Sequence, residues 1–175
     1  MGLGSQASAT VAEWQRERQA RKRDAMSETL ADELSDDAII LGAEASDWRS
    51  AVRIAGDALT ATGSTTDEYT AEMIRAVQEL GPYIVIAPSI ALAHSRPSPA
   101  VLKTGISWVS LANPVEFGHS ANDPVRLVVG LAAVDHDSHL ATMSNLAGVL
   151  SGDIDRLLEA TTPEQLRALI REHTQ

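Results

Sequence analysis

The sequence predicts a single α/β domain, a sandwich in which a mixed central β-sheet is flanked by helices on both faces. Apolar runs of strand length alternate along the chain with amphipathic helical segments, and they are not segregated from them. One run, RLVVGLAAV at 126–134, is apolar almost throughout, which is typical of a central strand buried on both faces. The 175 residues suffice for one domain with a full core, and the sequence shows no internal repeat.

The domain is predicted to begin with a helix and a strand. Ser27 is a favourable N-cap followed by acidic residues, which predicts a short helix at 27–34. The run AIIL at 38–41 is interpreted as a short buried strand. Two amphipathic helices follow, at 48–61 and from about 67 to 80, each with a capping residue before it and a glycine after it.

The next stretch, GPYIVIAPSIALAHSRP at 81–97, ends in a polar tip. Breakers enclose an apolar, β-branched run at 83–87 and a second apolar run at 90–93, which predicts two short buried strands. The second strand ends in His94-Ser95-Arg96. A titratable group beside a cation at the end of a buried strand is a common arrangement in functional sites.

The remaining elements complete the sheet. A strand at 104–111 follows the strand at 90–93 after a short loop, so we expect the two to form an antiparallel pair. Asn113-Pro114 is predicted to turn the chain into a short edge strand at 115–118. The last elements are predicted to be the central strand and three helices, at 126–134, 140–150, 153–158 and from Thr162 onward.

Composition and charge exclude several classes of protein. The chain has no Cys, which removes disulfides, a thiol nucleophile and thiolate zinc sites and fits a reducing compartment. No apolar run reaches the ~20 residues of a membrane helix and no secretory signal is recognisable, so we expect a cytoplasmic protein without membrane insertion. The net charge of −10 argues against nucleic acid as a partner.

The charge is unevenly distributed along the chain. Residues 1–23 contain five basic and two acidic side chains, a local charge of +3 that leaves −13 for the remainder. We interpret residues 1–26 as a basic N-terminal arm, extended or helical, in front of a domain at 27–175. Such an arm can contact RNA or a membrane surface, but a solvated helical extension explains the same composition.

Two histidines occupy the same kind of position, just beyond an apolar strand. His94 and His139 both lie where α/β sheets gather their ligands. Arg96 follows His94 closely, and His139 lies at the start of a helix, whose first N–H groups bind anions. An imidazole with a pKa of about 6.5 is largely neutral and nucleophilic at pH 7, and a phosphoramidate transfers its phosphoryl group readily. If the two strands are neighbours, the site would hold an imidazole nucleophile, a second imidazole and backbone donors for a phosphoryl group.

Other interpretations of these residues stay open on chemistry alone. His94 can be buried for stability, His139 can bond to a backbone carbonyl, and Arg96 can be a surface cation. The segment DHDSH at 135–139 has the side chains of a metal site, and a metal-dependent hydrolase would use His94, His136 and His139, but no second cluster completes a coordination shell. The sequence has no nucleophile elbow and no phosphate-binding glycine loop, so no cofactor is predicted and a protein must deliver any phosphoryl group.

Three stretches resemble a known family: GPYIVIAPSIALAHSRP, VLKTGISWVSLANPVEFG and NDPVRLVVGLAAVDHDSHL. Together with the two amphipathic helices, they resemble enzyme IIA of the bacterial phosphoenolpyruvate-dependent sugar phosphotransferase system, in the mannitol/fructose superfamily and its ascorbate-like branch. The likeness runs from about Ser35 to the C-terminus. It implies that residues 27–175 are an enzyme IIA type-2 domain with an α/β sandwich fold.

The resemblance also implies a function. Such a protein accepts a phosphoryl group from the phosphocarrier protein HPr on a histidine, here His94, with His139 assisting and with Arg96 and Ser95 supporting the phosphoryl group. It passes the group to a cysteine of enzyme IIB, and the membrane component, enzyme IIC, takes up the sugar, here ascorbate or one of the mannitol, fructose or galactitol type. No metal is implied. An alternative is a regulatory module of nitrogen-regulatory type that is not coupled to transport. The sequence fixes neither the sugar nor the oligomeric state, a homodimer included.

Two residues depart from the motif of the family. Ser89 stands where glycine is usual, and Ala93 stands where proline usually precedes the histidine. If position 89 needs a positive φ, serine is strained there. Loss of the proline frees the backbone of the residue before His94. Neither change touches the nucleophile.

Overall fold

The computed structural model describes residues 10–172, and within them residues 19–29 by their backbone alone. Residues 1–9, the first part of the predicted arm, lie outside the described residues, as does His173. The helices and strands follow in this order: α1 Val11–Glu33, β1 Ile39–Ala43, α2 Trp48–Ala61, α3 Asp67–Leu80, β2 Val85–Ala87, β3 Ile90–His94, β4 Gly105–Val115, β5 Val125–Ala132, α4 His136–Leu150, α5 Ile154–Leu158 and α6 Pro163–Glu172.

The strands form one mixed sheet in the order β1-β4-β5-β3-β2. β5 is antiparallel to β4 and parallel to β3, and every residue of β5 except Arg126 is buried. The predictions of a mixed sheet and of a central strand near 126–134 are therefore confirmed. The expected antiparallel pairing of β3 with β4 is wrong. β5 lies between them, and its apolar side chains on both faces suit the centre of a sheet that helices cover on both sides.

Helices cover both faces of the sheet, as predicted. α2 and α3 pack on one face through side chains such as Val52, Leu59 and Met73. α1, α4, α5 and α6 cover the other face, where the apolar cluster is built around Trp108, Leu127, Val129 and Leu146, among others. Alternate residues of the central strands supply the two clusters, as the two-residue period of a strand requires. No helix in the described part of the chain is long and apolar enough to span a bilayer.

Two local predictions were wrong at element boundaries. No separate helix begins at Ser27, because α1 is continuous from Val11 and starts at a capping box between Thr10 and Glu13. α1 thus crosses the predicted boundary between arm and domain. The predicted strand at 83–87 is shorter, since β2 is confined to Val85–Ala87 at the edge of the sheet.

The predicted turn at Asn113-Pro114 and edge strand at 115–118 are also wrong. β4 continues through both residues to Val115, and a register shift after Ser110 accommodates the proline. A bulge is one of the few places in a sheet where a residue without an N–H group is tolerated.

α4 begins at His136, before the predicted start at residue 140. Its N-cap is Asp135, whose carboxylate accepts a hydrogen bond from the Ser138 N–H at 2.7 Å. Leu140 is 52% exposed, so it does not face the core. The buried face of α4 is instead formed by Thr142, Leu146 and Val149.

Candidate functional site

His94 is the last residue of β3 and lies at the carboxyl end of that strand, beside the carboxyl end of β5. The two strands are parallel neighbours, and His94 lies opposite Leu131 in their register. The chain leaves β5 and enters α4 within a few residues, so the first turn of α4 lies over the end of β3. This brings His139 to His94, with ring centroids 5.7 Å apart and ring planes tilted by 45°. The condition on which the predicted histidine site depended, that the two strands are neighbours, is therefore met.

A short hydrogen bond orients the His94 ring. Its Nδ1 lies 2.7 Å from the carbonyl oxygen of Leu92. A carbonyl oxygen can only accept, so the shared proton lies on Nδ1 and the lone pair of the neutral ring is on Nε2. The ring of Tyr83 meets the imidazole edge to face, with centroids 5.3 Å apart, and the Tyr83 hydroxyl donates to the His94 carbonyl at 2.8 Å. The imidazole is thus held in one orientation and one tautomer.

The surroundings of His94 favour its neutral form. Burial lowers the pKa of His94, because removing water disfavours the imidazolium ion, and nearby His139 lowers it further. The bond to the Leu92 carbonyl acts in the opposite direction but is the smaller effect against burial. The ring is therefore neutral at pH 7, which is the state in which Nε2 can act as a nucleophile.

Tyr69 anchors the loop that follows His94. Its hydroxyl donates to the Leu131 carbonyl at 2.7 Å and accepts from the Ser95 N–H at 3.0 Å. Burial raises the pKa of Tyr69 to about 12, so the hydroxyl keeps its proton and can make both bonds at once. The N–H of Ser95 is consequently occupied, and what Ser95 can offer to a phosphoryl group is its hydroxyl.

The site is an open pocket of about 610 Å³ between α3, the loop after β3 and the first turn of α4. It contains all four residues predicted from the sequence: His94, Ser95, Arg96 and His139. Its other lining residues were not predicted for this site, and they are Glu72, Arg75, Ala76, Glu79, Leu80, Tyr83, Pro97 and His136. The sequence pattern suggests His136 only as a metal ligand.

The α3 contribution could not be found from sequence. Its lining residues recur at helical spacing, from Glu72 to Leu80, but that period only says that they share a face. Which face turns toward His94 depends on how Tyr69, Met73 and Val77 pack on the sheet.

The first turn of α4 contributes imidazoles more than free backbone donors. Asp135 caps the helix: its carboxylate accepts a hydrogen bond from the Ser138 N–H, and its carbonyl accepts one from the His139 N–H at 3.1 Å. The expected row of unpaired N–H groups for a phosphoryl group is therefore partly used. His136 and His139, one turn apart on α4, both line the pocket.

The metal-dependent hydrolase alternative finds no support in the geometry. Among the side chains that the structure describes, those of residues 10–18 and 30–172, no group of three or more His, Cys, Asp or Glu is arranged to hold a metal ion. His94, His136 and His139 share the pocket without forming such a group.

Ser89 lies in the turn between β2 and β3 and has a positive φ, the conformation in which serine is expected to be strained. Ser89 has φ of 69°, so position 89 does require a positive φ and is occupied by a residue other than glycine. Three backbone hydrogen bonds hold it, from its N–H to Asn122 and from Arg126 and Leu127 to its carbonyl. Ala93 is fully buried beside His94.

Comparison with known proteins identifies the family. The family model described as "Phosphoenolpyruvate-dependent sugar phosphotransferase system, EIIA 2" matches residues 33–173. The chain belongs to this EIIA family. The recognition made from the sequence motifs is thus confirmed, and so is the α/β fold that it implied.

The relatives of this EIIA protein include curated ascorbate-specific components. The ascorbate-specific PTS system EIIA component of Salmonella choleraesuis (strain SC-B67) is 43% identical over 111 residues, 63% of this chain and 72% of that protein. The protein of the same description from Salmonella paratyphi A (strain ATCC 9150 / SARB42) is 37% identical over 150 residues, 81% of this chain and 94% of that protein.

A solved structure shows the same fold in a complex. It is described as a complex of enzyme IIA-mannitol and phosphorylated enzyme IIB-mannitol from Escherichia coli, and its matching chain is 29% identical to this EIIA protein with a TM-score of 0.70. The match covers 79% of this chain and 96% of that chain.

Proposed function

We propose that this EIIA protein accepts a phosphoryl group from phospho-HPr on Nε2 of His94 and passes it to a cysteine of enzyme IIB, in the uptake of ascorbate. The observation that carries the proposal is the bond between Nδ1 of His94 and the Leu92 carbonyl. It leaves the lone pair of a neutral imidazole on Nε2, at a pocket that also holds His139 and Arg96. Residues of these types suit the transfer of a phosphoryl group between two proteins.

The chemistry balances without a cofactor. The Nε2 lone pair attacks phosphorus while the bond between phosphorus and the donor histidine breaks, and the donor ring keeps that electron pair. His94 then carries the phosphoryl group on Nε2 and its proton on Nδ1, so its ring is positively charged, and the Leu92 carbonyl stabilises that charge. A thiolate of enzyme IIB next attacks the phosphorus, the Nε2–P bond breaks, and its electrons restore the neutral imidazole.

Other residues of the pocket bind the phosphoryl oxygens. Arg96 and the hydroxyl of Ser95 can donate hydrogen bonds to them, and His139, with its ring centroid 5.7 Å from that of His94, is close enough to assist. These groups stabilise the negative charge of the oxygens while the phosphoryl group passes from the donor nitrogen to Nε2. Preorganised donors raise the rate by stabilising charge in this transition state.

The choice of partners and sugar rests on the relatives. The ascorbate-specific EIIA components support uptake of ascorbate through enzymes IIB and IIC and favour transport over the regulatory alternative. Two exposed apolar side chains of the pocket that holds His94, Leu80 and Tyr83, suit docking of a protein partner. Because the chain has a net charge of −10, we expect it to attract a donor with a basic surface, and phosphotransfer should slow as salt rises.

The test is labelling with phosphoenolpyruvate, enzyme I and HPr, followed by mass spectrometry. Wild type should gain one phosphoryl group, and His94→Ala should gain none. His119→Ala is the matched control, because His119 lies in the loop before β5, where its Nδ1 accepts two backbone N–H bonds. Phosphorus NMR should place the group on Nε2. Equal labelling of His94→Ala and wild type, or attachment at Nδ1, would contradict the proposal.

The second half of the test identifies the acceptor. Purified phospho-protein should transfer its label to the enzyme IIB of an ascorbate system and not to that of a mannitol system. A stable phospho-protein that labels no enzyme IIB would favour the regulatory alternative instead.

A further inference from the structure

The pocket contains a second arginine, Arg75, which has no role in the proposed transfer through His94. Arg75 lies on α3, on the face of that helix that lines the pocket, and its side chain is exposed. Its neighbours on the same face are Glu72 and Glu79, at the spacings at which helical side chains meet. Among the described side chains, those of residues 10–18 and 30–172, Arg75 nevertheless has no ion-pair partner within 4 Å. Its guanidinium group is therefore free to meet an anion that enters the pocket.

The charges of the pocket call for such a group. Arg75 and Arg96 are its two permanently cationic side chains, and the two carboxylates of Glu72 and Glu79 balance them formally. The His94 ring adds no positive charge before transfer, since burial keeps its pKa low. A phosphoryl group on Nε2 would bring up to two negative charges into this balanced environment.

One of the two carboxylates is already engaged elsewhere. Glu72 accepts a hydrogen bond from the Ser98 hydroxyl at 2.8 Å, which holds its carboxylate toward the loop after β3. Glu72 is therefore less available to neutralise Arg75 than its spacing on the helix suggests.

We propose that Arg75 binds the phosphoryl oxygens during transfer and so joins Arg96 as a second arginine donor to the group on His94. The inference rests on the proposed phosphorylation of His94. Arg75 makes and breaks no covalent bond. Its N–H groups donate to the phosphoryl oxygens while the bond from phosphorus to the donor nitrogen is exchanged for the bond to Nε2, a role for which a planar, bidentate guanidinium group is well shaped.

The test compares Arg75→Ala and Arg75→Lys with Arg53→Ala. Arg53 is an exposed arginine of α2 outside the pocket lining, so its loss makes the same change in net charge. We expect Arg75→Ala to lower kcat by about tenfold or more, both for acceptance from phospho-HPr and for transfer to enzyme IIB. Arg75→Lys should be faster than Arg75→Ala but slower than wild type, because lysine keeps the positive charge but lacks the planar, bidentate guanidinium group. Arg53→Ala should stay close to wild type in kcat.

A second readout needs no partner protein. In the isolated phospho-protein, the phosphorus resonance reports the titration of the phosphoryl oxygens. A nearby guanidinium group favours the dianion, so the titration midpoint should lie at higher pH in Arg75→Ala than in wild type. Urea unfolding curves of the variants confirm that the comparison is made between folded proteins.

Three results are informative in different ways. If Arg75→Ala matches Arg53→Ala in kcat and in the titration midpoint, Arg75 does not bind the phosphoryl group. If Arg75→Ala raises KM for one partner only and leaves the midpoint unchanged, Arg75 contacts that partner and the inference is overturned. If wild type itself is not labelled, it is the proposed function that fails.

Discussion

Removal of the Tyr69 hydroxyl should weaken both the fold and the site. This hydroxyl joins the end of β5 to the loop after β3, through the Leu131 carbonyl at 2.7 Å and the Ser95 N–H at 3.0 Å. Tyr69→Phe removes one oxygen atom and keeps the ring, so the apolar packing of a fully buried side chain is preserved. What changes is that two backbone groups lose their partner.

The magnitude follows from the burial of those two groups. A buried polar group left without a partner costs about 1–3 kcal/mol. Leu131 is fully buried, so its carbonyl incurs such a cost, whereas the Ser95 N–H is only half-buried and can reach water. We therefore expect Tyr69→Phe to lower the free energy of unfolding by about 2 kcal/mol. Because the loop also carries Arg96, the rate of phosphorylation should fall as well.

The assay is urea unfolding, with Tyr83→Phe as the matched control. The Tyr83 hydroxyl also donates to a backbone carbonyl, that of His94 at 2.8 Å, but the Tyr83 side chain is 37% exposed and water can replace the lost bond. The control should lose less than about 1 kcal/mol. The urea midpoint should shift without a change in the denaturant slope. Equal losses in the two variants would refute the reasoning.

Three further predictions concern His94, Ser89 and Gly130. Because burial lowers the pKa of His94 in the folded chain, the unfolded chain binds that proton first, and the free energy of unfolding should fall as the pH drops below about 6.5. In urea titrations, the free energy of unfolding of His94→Gln should fall less over this pH range than that of wild type. An equal fall would show that His94 is not the group responsible. Ser89→Gly should raise the free energy of unfolding by about 0.5–1 kcal/mol, since it relieves a φ of 69°, and a lower urea midpoint would count against the strain. Gly130→Ala should cost about 1–3 kcal/mol, because the new Cβ would lie 2.2 Å from the Ser107 hydroxyl, and an unchanged thermal midpoint would show that β5 yields at that point.

The parts of the fold that could be predicted are those fixed by local sequence. α2 was predicted at its observed bounds, Trp48–Ala61, because an apolar face of regular period follows directly after the Asp47 cap. α3 ends at Leu80 as predicted, because Gly81 adopts a φ of 84° that other residues avoid. In both helices the residues that decide the boundary are neighbours in sequence.

The parts that could not be predicted depend on contacts between distant residues. The short loop after β3 suggested that β4 pairs with it, but the pairing is decided by β5, which is encoded later and fits between them. Likewise, Asn113-Pro114 has the composition of a turn, and only the register shift against β5 shows that β4 passes through it. Local composition carries no information on such partners.

The candidate site divides in the same way. His94 and His139 could be predicted because each follows an apolar strand, and α/β proteins commonly bind ligands at the carboxyl ends of their strands. Arg75 and Tyr83 could not, because their positions depend on how α3 and the β2 hairpin pack around the imidazole. The tautomer of His94 was equally inaccessible, since it depends on the backbone that turns the Leu92 carbonyl toward Nδ1.

The place of β5 in the sheet has a consequence for the order in which the protein is made. Of the strands in the described part of the chain, β5 is the last to be synthesised, yet it lies between β4 and β3, and its Leu131 is the register partner of His94. A nascent chain that ends before Val125 can form only the β2–β3 and β1–β4 pairs, and it lacks His139 altogether. The two halves of the sheet can join only after the ribosome has passed β5, and such long-range pairing is slow. A ribosome-bound fragment should therefore be unable to take phosphoryl groups from the cellular pool, so that carrier activity begins only with the complete domain.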